Sequence, residues 1–261
     1  MFNTKFVDLF VTTICDLKCK YCGTFIPYAK EKRHLSFDWL AKQIDAVFDV
    51  WDSMEIFQFM GGEPLQHPDF EHLILKALEY NNKFMTFRIT TNGTVMLDEH
   101  VLICLSSAKQ RGVNVELLIS DYGLLSSKIE ELTEACVRHN ISFQRRKYTG
   151  DEQYCGGWVD YGDFTYKTGD VLDRFKKCAC PINNIHEIYN GKVYNCARGV
   201  AGEITGRLPA KSGIVDLLDE TPLEDKRRRL SRYGKAPYYV CRYCNGLLPN
   251  ESPRVPAAEQ L

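Results

Sequence analysis

Residues 14–23 read Ile-Cys-Asp-Leu-Lys-Cys-Lys-Tyr-Cys-Gly, and this stretch decides the fold of the chain. It places Cys15, Cys19 and Cys22 in a C-x3-C-x2-C spacing, directly after an apolar run over residues 6–11. The run predicts a buried strand, so the three thiols share one short loop at the end of that strand. Three thiolates can bind three irons of a [4Fe–4S] cube and leave the fourth iron open to a small molecule. A structural zinc site needs four protein ligands, one more than this loop supplies.

A second element follows a second predicted strand. Residues 57–60 are apolar or strand-forming and run into Gly61-Gly62-Glu63-Pro64. Taken alone, this element is typical of a tight turn. After the cysteine loop, a ligand contact is favoured, because two glycines let the backbone approach a ligand closely and their carbonyls can accept from an ammonium group.

Composition excludes several classes of protein. The chain has 261 residues, 44% of them hydrophobic, and a formal net charge of −1 from 33 basic and 34 acidic residues. This balance predicts no nucleic-acid partner and no anionic membrane surface, and no apolar run approaches the roughly 20 residues that span a bilayer. The chain opens in a strand without a signal peptide, so its 11 cysteines indicate metal ligation in a reducing, cytoplasmic compartment.

Strand and helix patterns alternate with short loops up to residue 147. Such alternation predicts parallel strands joined by right-handed crossovers, with a site at the carboxyl ends of the strands. The predicted strands cover residues 4–13, 55–60, 85–91, 113–120 and 141–146. The predicted helices cover residues 36–51, 70–81, 98–111 and 126–139.

The alternation stops in the second part of the chain. Residues 148–177 are predicted to bridge two domains, and they either line a substrate cavity or form a surface linker. Residues 178–248 are predicted to form a small α+β module, with a hairpin over 185–196 whose Asn190-Gly191 turn favours type I′ geometry. The tail over 249–261 is rich in Pro and Ala, and we expect it to be mobile.

Five cysteines fall in this small module: Cys178, Cys180, Cys196, Cys241 and Cys244. Four thiolates would complete a second [4Fe–4S] cluster. Four thiolates including a C-x2-C pair also suit a tetrahedral zinc site, and some of these cysteines could be simple buried thiols. The residues alone leave these alternatives open.

The cysteine spacing, Tyr21 before the third cysteine and the Gly-Gly-Glu-Pro element resemble the radical S-adenosylmethionine (SAM) superfamily. The resemblance covers residues 4–146. It implies an α/β enzyme, a partial (β/α)5–6 barrel over residues 1–147, with SAM bound at the open iron of a [4Fe–4S] cluster. The cofactor-binding residues that it implies are Tyr21, Gly61, Gly62, Glu63, Pro64, Asn92 and Ser120. The presence of Asn92 and Ser120 at the strand ends is explained about equally well by hydrogen bonding within a turn or a helix cap.

The cysteines of the small module resemble the shortened auxiliary-cluster domain of this superfamily, called the twitch domain, as in its aminocyclitol dehydrogenases. The 18 residues from Cys178 to Cys196 and the sequence Phe-Lys-Lys-Cys favour Cys178 over Cys180. Cys180, which precedes Pro181, also looks like a ligand. The ligands implied for a second [4Fe–4S] cluster are Cys178, Cys196, Cys241 and Cys244.

The resemblance also implies the chemistry. SAM is cleaved reductively to a 5′-deoxyadenosyl radical that abstracts a hydrogen atom from the substrate, and a nearby second cluster favours a two-electron oxidation. The electron donor would be a protein such as flavodoxin or ferredoxin. Candidates for a catalytic base or an oxygen-binding group are Asp121, Arg145, Arg146 and Asp163.

Three functions remain open from the sequence. The first is dehydrogenation or epimerisation of a small polar molecule, such as a sugar or aminocyclitol. The second is modification of a peptide or activation of a glycyl-radical enzyme. A start at the first strand leaves no N-terminal peptide-binding domain and mildly disfavours peptide modification. The third is a non-catalytic iron–sulfur or zinc module, which leaves the Gly-Gly-Glu-Pro element unexplained.

Overall fold

The structure is a computed structural model that describes residues 1–154, 158–208, 214–248 and 251–261. Residues 155–157 of the predicted bridging segment, with Cys155, and residues 249–250 at the start of the predicted tail lie outside the described residues.

The first half of the chain alternates strands and helices, as the sequence predicts. The strands are β1 (Asn3–Thr12), β2 (Ser53–Gly61), β3 (Phe84–Thr91), β4 (Asn114–Asp121) and β5 (Ser142–Lys147). The helices are α1 (Phe37–Val50), α2 (Phe70–Leu78), α3 (Glu99–Gln110) and α4 (Ile129–Arg138). The five strands pair in parallel in the order β5-β4-β3-β2-β1, which confirms the parallel α/β sheet with its crossover helices.

The second half adds short elements. Its helices are α5 (Val171–Lys177), α6 (Ala179–Ile182), α7 (Ala197–Thr205) and α8 (Leu223–Leu230). Its strands are β6 (Ile185–Tyr189), β7 (Lys192–Tyr194) and β8 (Val215–Asp216). Asn190 and Gly191 both have positive φ, which confirms the predicted hairpin turn between β6 and β7.

The hairpin is continuous with the main sheet. Strand β6 pairs in parallel with β1, and β7 and β8 follow in antiparallel order. Six parallel strands therefore form one sheet, with β6 beside β1 and not beside β5. The region of the predicted small module thus shares its backbone hydrogen bonding with the predicted barrel.

The two faces of this sheet differ in chemistry. One face carries a row of apolar side chains in register (Val7, Phe57, Phe87 and Val115) and packs against the helices. The ring of Phe48 in α1 lies 4.9 Å from that of Phe57. Because side chains alternate along a strand, the neighbouring residues point to the opposite, concave face. That face carries a register row that we call the interior row: Glu187, Asp8, Gln58, Arg88 and Glu116.

The described residues of the tail, 251–261, form hydrogen bonds with the first cysteine loop, although the composition of the tail predicts mobility. The backbone N–H of Lys20 donates to the carbonyl of Glu259 at 2.7 Å, and the N–H of Lys18 donates to the side chain of Gln260 at 2.7 Å. The Gln260 amide also lies 3.5 Å from the sulfur of Cys19. The tail is held because it pairs with the cysteine loop, a long-range contact that composition does not encode.

Among the described residues, no helix combines the length and the apolar character needed to cross a membrane.

Candidate active site and metal centres

The first cysteine loop leaves β1 and turns tightly around its three thiols. The N–H of Cys22 donates to the carbonyl of Cys19 at 3.2 Å, and the Cys22 sulfur lies 3.3 Å from the hydroxyl of Thr24. Burial raises the pKa of the Cys15 thiol to about 12 and that of Cys19 to about 11. Thiols in this environment ionise readily only against a bound cation, as in metal ligation.

The Gly-Gly-Glu-Pro element lies directly against this loop. The N–H of Gly62 donates to the carbonyl of Thr12 at 2.9 Å, and the N–H of Glu63 donates to that of Ile14 at 2.8 Å. A Cβ atom at Gly62 would lie 2.0 Å from the Ile14 oxygen, and one at Gly61 would lie 2.3 Å from the Thr12 oxygen. Both glycines are therefore required by close approach to the cysteine loop itself.

Glu63 ties the end of β2 to the end of β3. Its fully buried carboxylate accepts from the N–H of Leu65, from the hydroxyl of Thr91 and from the N–H of Asn92, at 3.1, 2.9 and 2.7 Å. Burial raises its pKa to about 7, against the lowering effect of these hydrogen bonds. Pro64 begins a single 3-10 turn behind it.

Asn92 connects the end of β3 to the cysteine loop. Its amide donates to the carboxylate of Asp16 at 3.1 Å and lies 3.7 Å from the sulfur of Cys15. The hydroxyl of Ser126 lies 2.6 Å from the carbonyl of Asn92 and 3.0 Å from that of Ser120. Ser126 is a positioning group that sequence reasoning missed, because a serine after a short loop carries no distinguishing signal.

Tyr21 and Ser120 are both half-buried. Tyr21 and Phe25 line an open groove together with Tyr161 and Lys167 of the bridging segment. Ser120 ends β4 on the interior side of the sheet. The predicted cofactor-binding residues thus gather at the carboxyl ends of β1 to β4.

The sheet register separates the two arginines of β5. Arg145 is in register with Ile119 on the helix face, where it pairs with Asp121 at 2.9 Å and with Glu130 of α4 at 2.8 Å. These contacts raise the pKa of Arg145. Arg146 is in register with Ser120 and shares the interior side. The structure therefore brings Arg146 towards the predicted site and does not bring Asp121 or Arg145 there.

Asp163 lies on the exposed bridging segment and lines the same open groove as Tyr21. Its carboxylate accepts from the N–H and the hydroxyl of Thr165, and these bonds lower its pKa. It serves as a local turn cap.

The five cysteines of the second group converge on one cavity of about 60 Å³. Cys178, Cys180 and Cys196 line this cavity together, and the interaction with the Cys180 thiol lowers the pKa of Cys178 to about 6. Cys241 and Cys244 line the same cavity. All four predicted ligands therefore meet, and Cys180 meets them as well.

This cavity has two features beyond its thiols. Gly23, the residue after the first cysteine loop, contributes to its wall, so the two cysteine groups are neighbours. Arg174 and Arg198 also line it, and each has buried guanidinium N–H groups without an acceptor. Buried orphan donors beside several thiols fit an anionic metal–thiolate group. Sequence reasoning missed both arginines.

The described residues contain no group of three or more His, Cys, Asp or Glu side chains arranged to hold a single metal ion. A zinc ion with bonds of about 2.3 Å would need such a tight arrangement, whereas a cube spreads its cysteine ligands over four irons. The first loop offers three thiols, one fewer than a structural zinc site needs, so its donor set fits an iron–sulfur cluster.

The interior row was also missed from the sequence. Arg88 pairs with Glu116 at 2.7 Å, while Asp8 and Glu187 face each other across neighbouring strands. Burial raises the pKa of both of these carboxyls, that of Asp8 to about 7. The strands of a buried parallel sheet are mostly apolar, and a single polar or charged residue in such a strand does not indicate from the sequence that it belongs to a polar row.

Comparison with known proteins identifies the first half of the chain. Residues 9–121 match the model of the radical SAM superfamily. The chain carries a radical SAM domain. The expected family is confirmed, and the expected cofactors, SAM and a [4Fe–4S] cluster, are those of radical SAM proteins.

The proteins to which this chain is similar cover it unequally. GTP 3′,8-cyclase from Campylobacter jejuni subsp. doylei is 32% identical over 96 residues, which are 36% of this chain. The match spans only 29% of the length of that curated relative. BtrN, solved in complex with AdoMet and 2-DOIA, matches with a TM-score of 0.52 and 16% identity over 94% of each chain, which shows a shared fold. SuiB of Streptococcus suis, bound to S-adenosylmethionine, matches with a TM-score of 0.47 and 13% identity over 85% of this chain and 65% of its own.

Proposed function

We propose that this protein is a radical SAM oxidoreductase that removes hydrogen from a small polar substrate of the sugar or aminocyclitol class, dehydrogenating or epimerising it. One observation carries the proposal: the cavity of the second cysteine group shares a wall with the first cysteine loop through Gly23. Two neighbouring redox groups favour a net oxidation, because the second can take up an electron that the first reaction leaves on the substrate.

Cys15, Cys19 and Cys22 would hold the first [4Fe–4S] cluster. When bound, this cluster and SAM supply the 5′-deoxyadenosyl radical that abstracts a hydrogen atom from the substrate. The Gly-Gly-Glu-Pro element and Asn92 set the loop in place and border the position for SAM. Cys196, Cys241, Cys244 and either Cys178 or Cys180 would hold the second cluster, with Cys178 as our proposal.

The interior row supports a polar substrate. Its charged and amide side chains can accept from and donate to several hydroxyl or amino groups at once. Within the part of the chain that the structure describes, neither Asp8 nor Glu187 forms a salt bridge with an arginine, although the charge of Arg88 acts on Asp8. Asp121, in contrast, pairs with Arg145 on the helix face. Oxidation of an alcohol requires loss of the hydroxyl proton, and we assign its acceptance to the carboxylate of Asp8 or Glu187. We assign to Arg146, which shares the interior side of the sheet with Ser120, the binding of a substrate or SAM oxygen.

Measuring iron and labile sulfide in the variant C15A/C19A/C22A, prepared without oxygen, tests the two-cluster assignment. We expect about four irons to remain per chain, because a complete [4Fe–4S] cluster contains four. Formation of 5′-deoxyadenosine from SAM and a reductant should be lost in this variant and present in the wild type. Zinc in place of iron in the variant would instead favour a redox-neutral radical reaction. Absence of 5′-deoxyadenosine from the wild type would favour a non-catalytic iron–sulfur module.

A further inference from the structure

Arg198 is a buried cation at the start of α7, two residues after Cys196. It is 3% exposed, and its guanidinium carbon lies 4.3 Å from the ring centre of Phe25 and 3.4 Å from that of Phe164. One terminal nitrogen donates to the carbonyls of Gly162 and Tyr243, at 2.6 and 3.4 Å. The Nε and Nη1 atoms are buried and have no acceptor.

Arg174 repeats this arrangement on the other side of the cavity. It projects from α5, and its Nη2 donates to the carbonyl of Cys241 at 3.1 Å. Its Nε is buried without an acceptor. Among the salt bridges of the described residues, neither Arg174 nor Arg198 has a carboxylate partner, although 14 other Lys, Arg, His and N-terminal groups do.

Burying a guanidinium without an anion is costly, by several kcal/mol for an unpaired ion. The groups that share the cavity with both arginines and become anionic as metal-bound thiolates are the five cysteines. A cluster with four thiolate ligands carries a net negative charge, and one-electron reduction adds one more. A fixed positive charge nearby stabilises the reduced form more than the oxidised form, and hydrogen bonds to the sulfurs act in the same direction.

We propose that Arg174 and Arg198 are positioning residues that raise the reduction potential of the auxiliary cluster, so that this cluster accepts the electron from the substrate radical. The inference rests on the proposed function, since it concerns the second cluster of that reaction. In the balanced step the substrate radical loses one electron and its hydroxyl proton, the cluster gains the electron, and a protein one-electron acceptor of the flavodoxin or ferredoxin class later removes it.

The test is a potentiometric titration of the auxiliary cluster, followed by electron paramagnetic resonance, in the background C15A/C19A/C22A. The variants are R198M and R174M, which remove the charge at similar volume, and R198K and R174K, which retain it. At a fixed potential we expect at least a tenfold fall in the ratio of reduced to oxidised cluster in each Met variant, about 59 mV for one electron. The Lys variants should recover a large part of this shift.

Arg207→Met is the matched control. Arg207 is exposed, lies over the ring of Tyr28 and does not line the five-cysteine cavity, so the potential should not change. A merely structural role would lower the iron content of the Met variants while leaving the potential of the remaining clusters unchanged, and that result would overturn the inference. If R198M does not retain iron, the test relies on R174M and R198K. An unshifted reduction potential in R174M would also overturn the inference. Absence of iron from the background variant would defeat the proposed function itself, a result distinct from an unshifted potential.

Discussion

Replacing Gly62 with alanine is expected to displace the first cysteine loop and to abolish cluster loading at that site. The added Cβ would lie 2.0 Å from the carbonyl oxygen of Ile14, 2.6 Å from its carbonyl carbon and 3.1 Å from the Cβ of Cys15. The backbone of Gly62 is not in the left-handed region, so the effect is steric and not conformational. To increase the distance between this Cβ and the Ile14 oxygen to 3 Å, the Gly-Gly-Glu-Pro element and the cysteine loop must move apart by about 1 Å.

The magnitude follows from the contacts that this shift breaks. It separates the N–H of Glu63 from the carbonyl of Ile14 and strains the bond from Gly62 to Thr12. Two weakened buried hydrogen bonds, together costing about 1 kcal/mol, and overpacking of about 1–3 kcal/mol give a loss of roughly 2–4 kcal/mol. For a chain of this size the Tm should fall by about 5–12 °C.

The assay combines thermal unfolding, iron content and 5′-deoxyadenosine formation. Gly23→Ala is the control, since its Cβ would meet only the ring of Tyr161 at an ordinary distance of 3.5 Å and its φ is not positive. G23A should retain the wild-type Tm, because its added methyl group meets no close contact. In G62A, we expect loss of the iron of the first site with retention of the auxiliary iron. Wild-type iron and SAM cleavage in G62A would refute the steric argument.

Three further outcomes are expected. His186 is buried between aromatic rings and burial lowers its pKa to about 4, so the stability that is present above pH 6.5 should be lost as the pH falls towards 4, by up to roughly 3 kcal/mol. In H186Q, the free energy of unfolding measured with denaturant should depend less on pH between 6.5 and 4. The same pH dependence in H186Q and the wild type would contradict this prediction. R146M should lower substrate turnover at least tenfold, because Arg146 shares the interior side of the sheet. R145M should leave turnover near that of the wild type and reduce the free energy of unfolding by about 1 kcal/mol, because Arg145 pairs with Asp121 on the helix face. Equal losses of turnover in the two variants would contradict this assignment of the two arginines to opposite faces. Q260A removes the side-chain amide that lies 3.5 Å from the Cys19 sulfur. We expect the first cysteine site to lose iron faster in air and the second cysteine site to lose it at the wild-type rate, as measured by iron and sulfide analysis over time.

The main sheet could be predicted from local pattern. Each crossover combines an apolar strand with an amphipathic helix, and both periods are visible in a short window of sequence. The expected bounds of β1 to β5 and α1 to α4 differ from the observed ones by no more than a few residues. The hairpin turn was also predictable, because Asn190 and Gly191 are suited to two successive positive φ values.

The pairing of β6 with β1 was not predictable in the same way. Nearly 180 residues separate Phe6 from Ile185, and nothing in either strand specifies its neighbour. The same holds for the tail, whose Pro- and Ala-rich composition suggests mobility although Glu259 and Gln260 pair with the cysteine loop. Long-range pairing depends on which edges remain open after the rest of the chain has folded.

The local sequence predicts the chemistry of the first site. The spacing of Cys15, Cys19 and Cys22 and the glycines before Glu63 predict its ligands, because covalent spacing limits which thiols one loop can present to one cluster. The face that each strand residue occupies is set instead by the folded structure. It set Arg146 inside and Arg145 outside, aligned Asp8 with Glu187, and placed the unpaired cations Arg174 and Arg198 around the second group of cysteines. Such placements arise from sheet register and packing between distant segments, and these are properties of the folded chain and not of any short stretch within it.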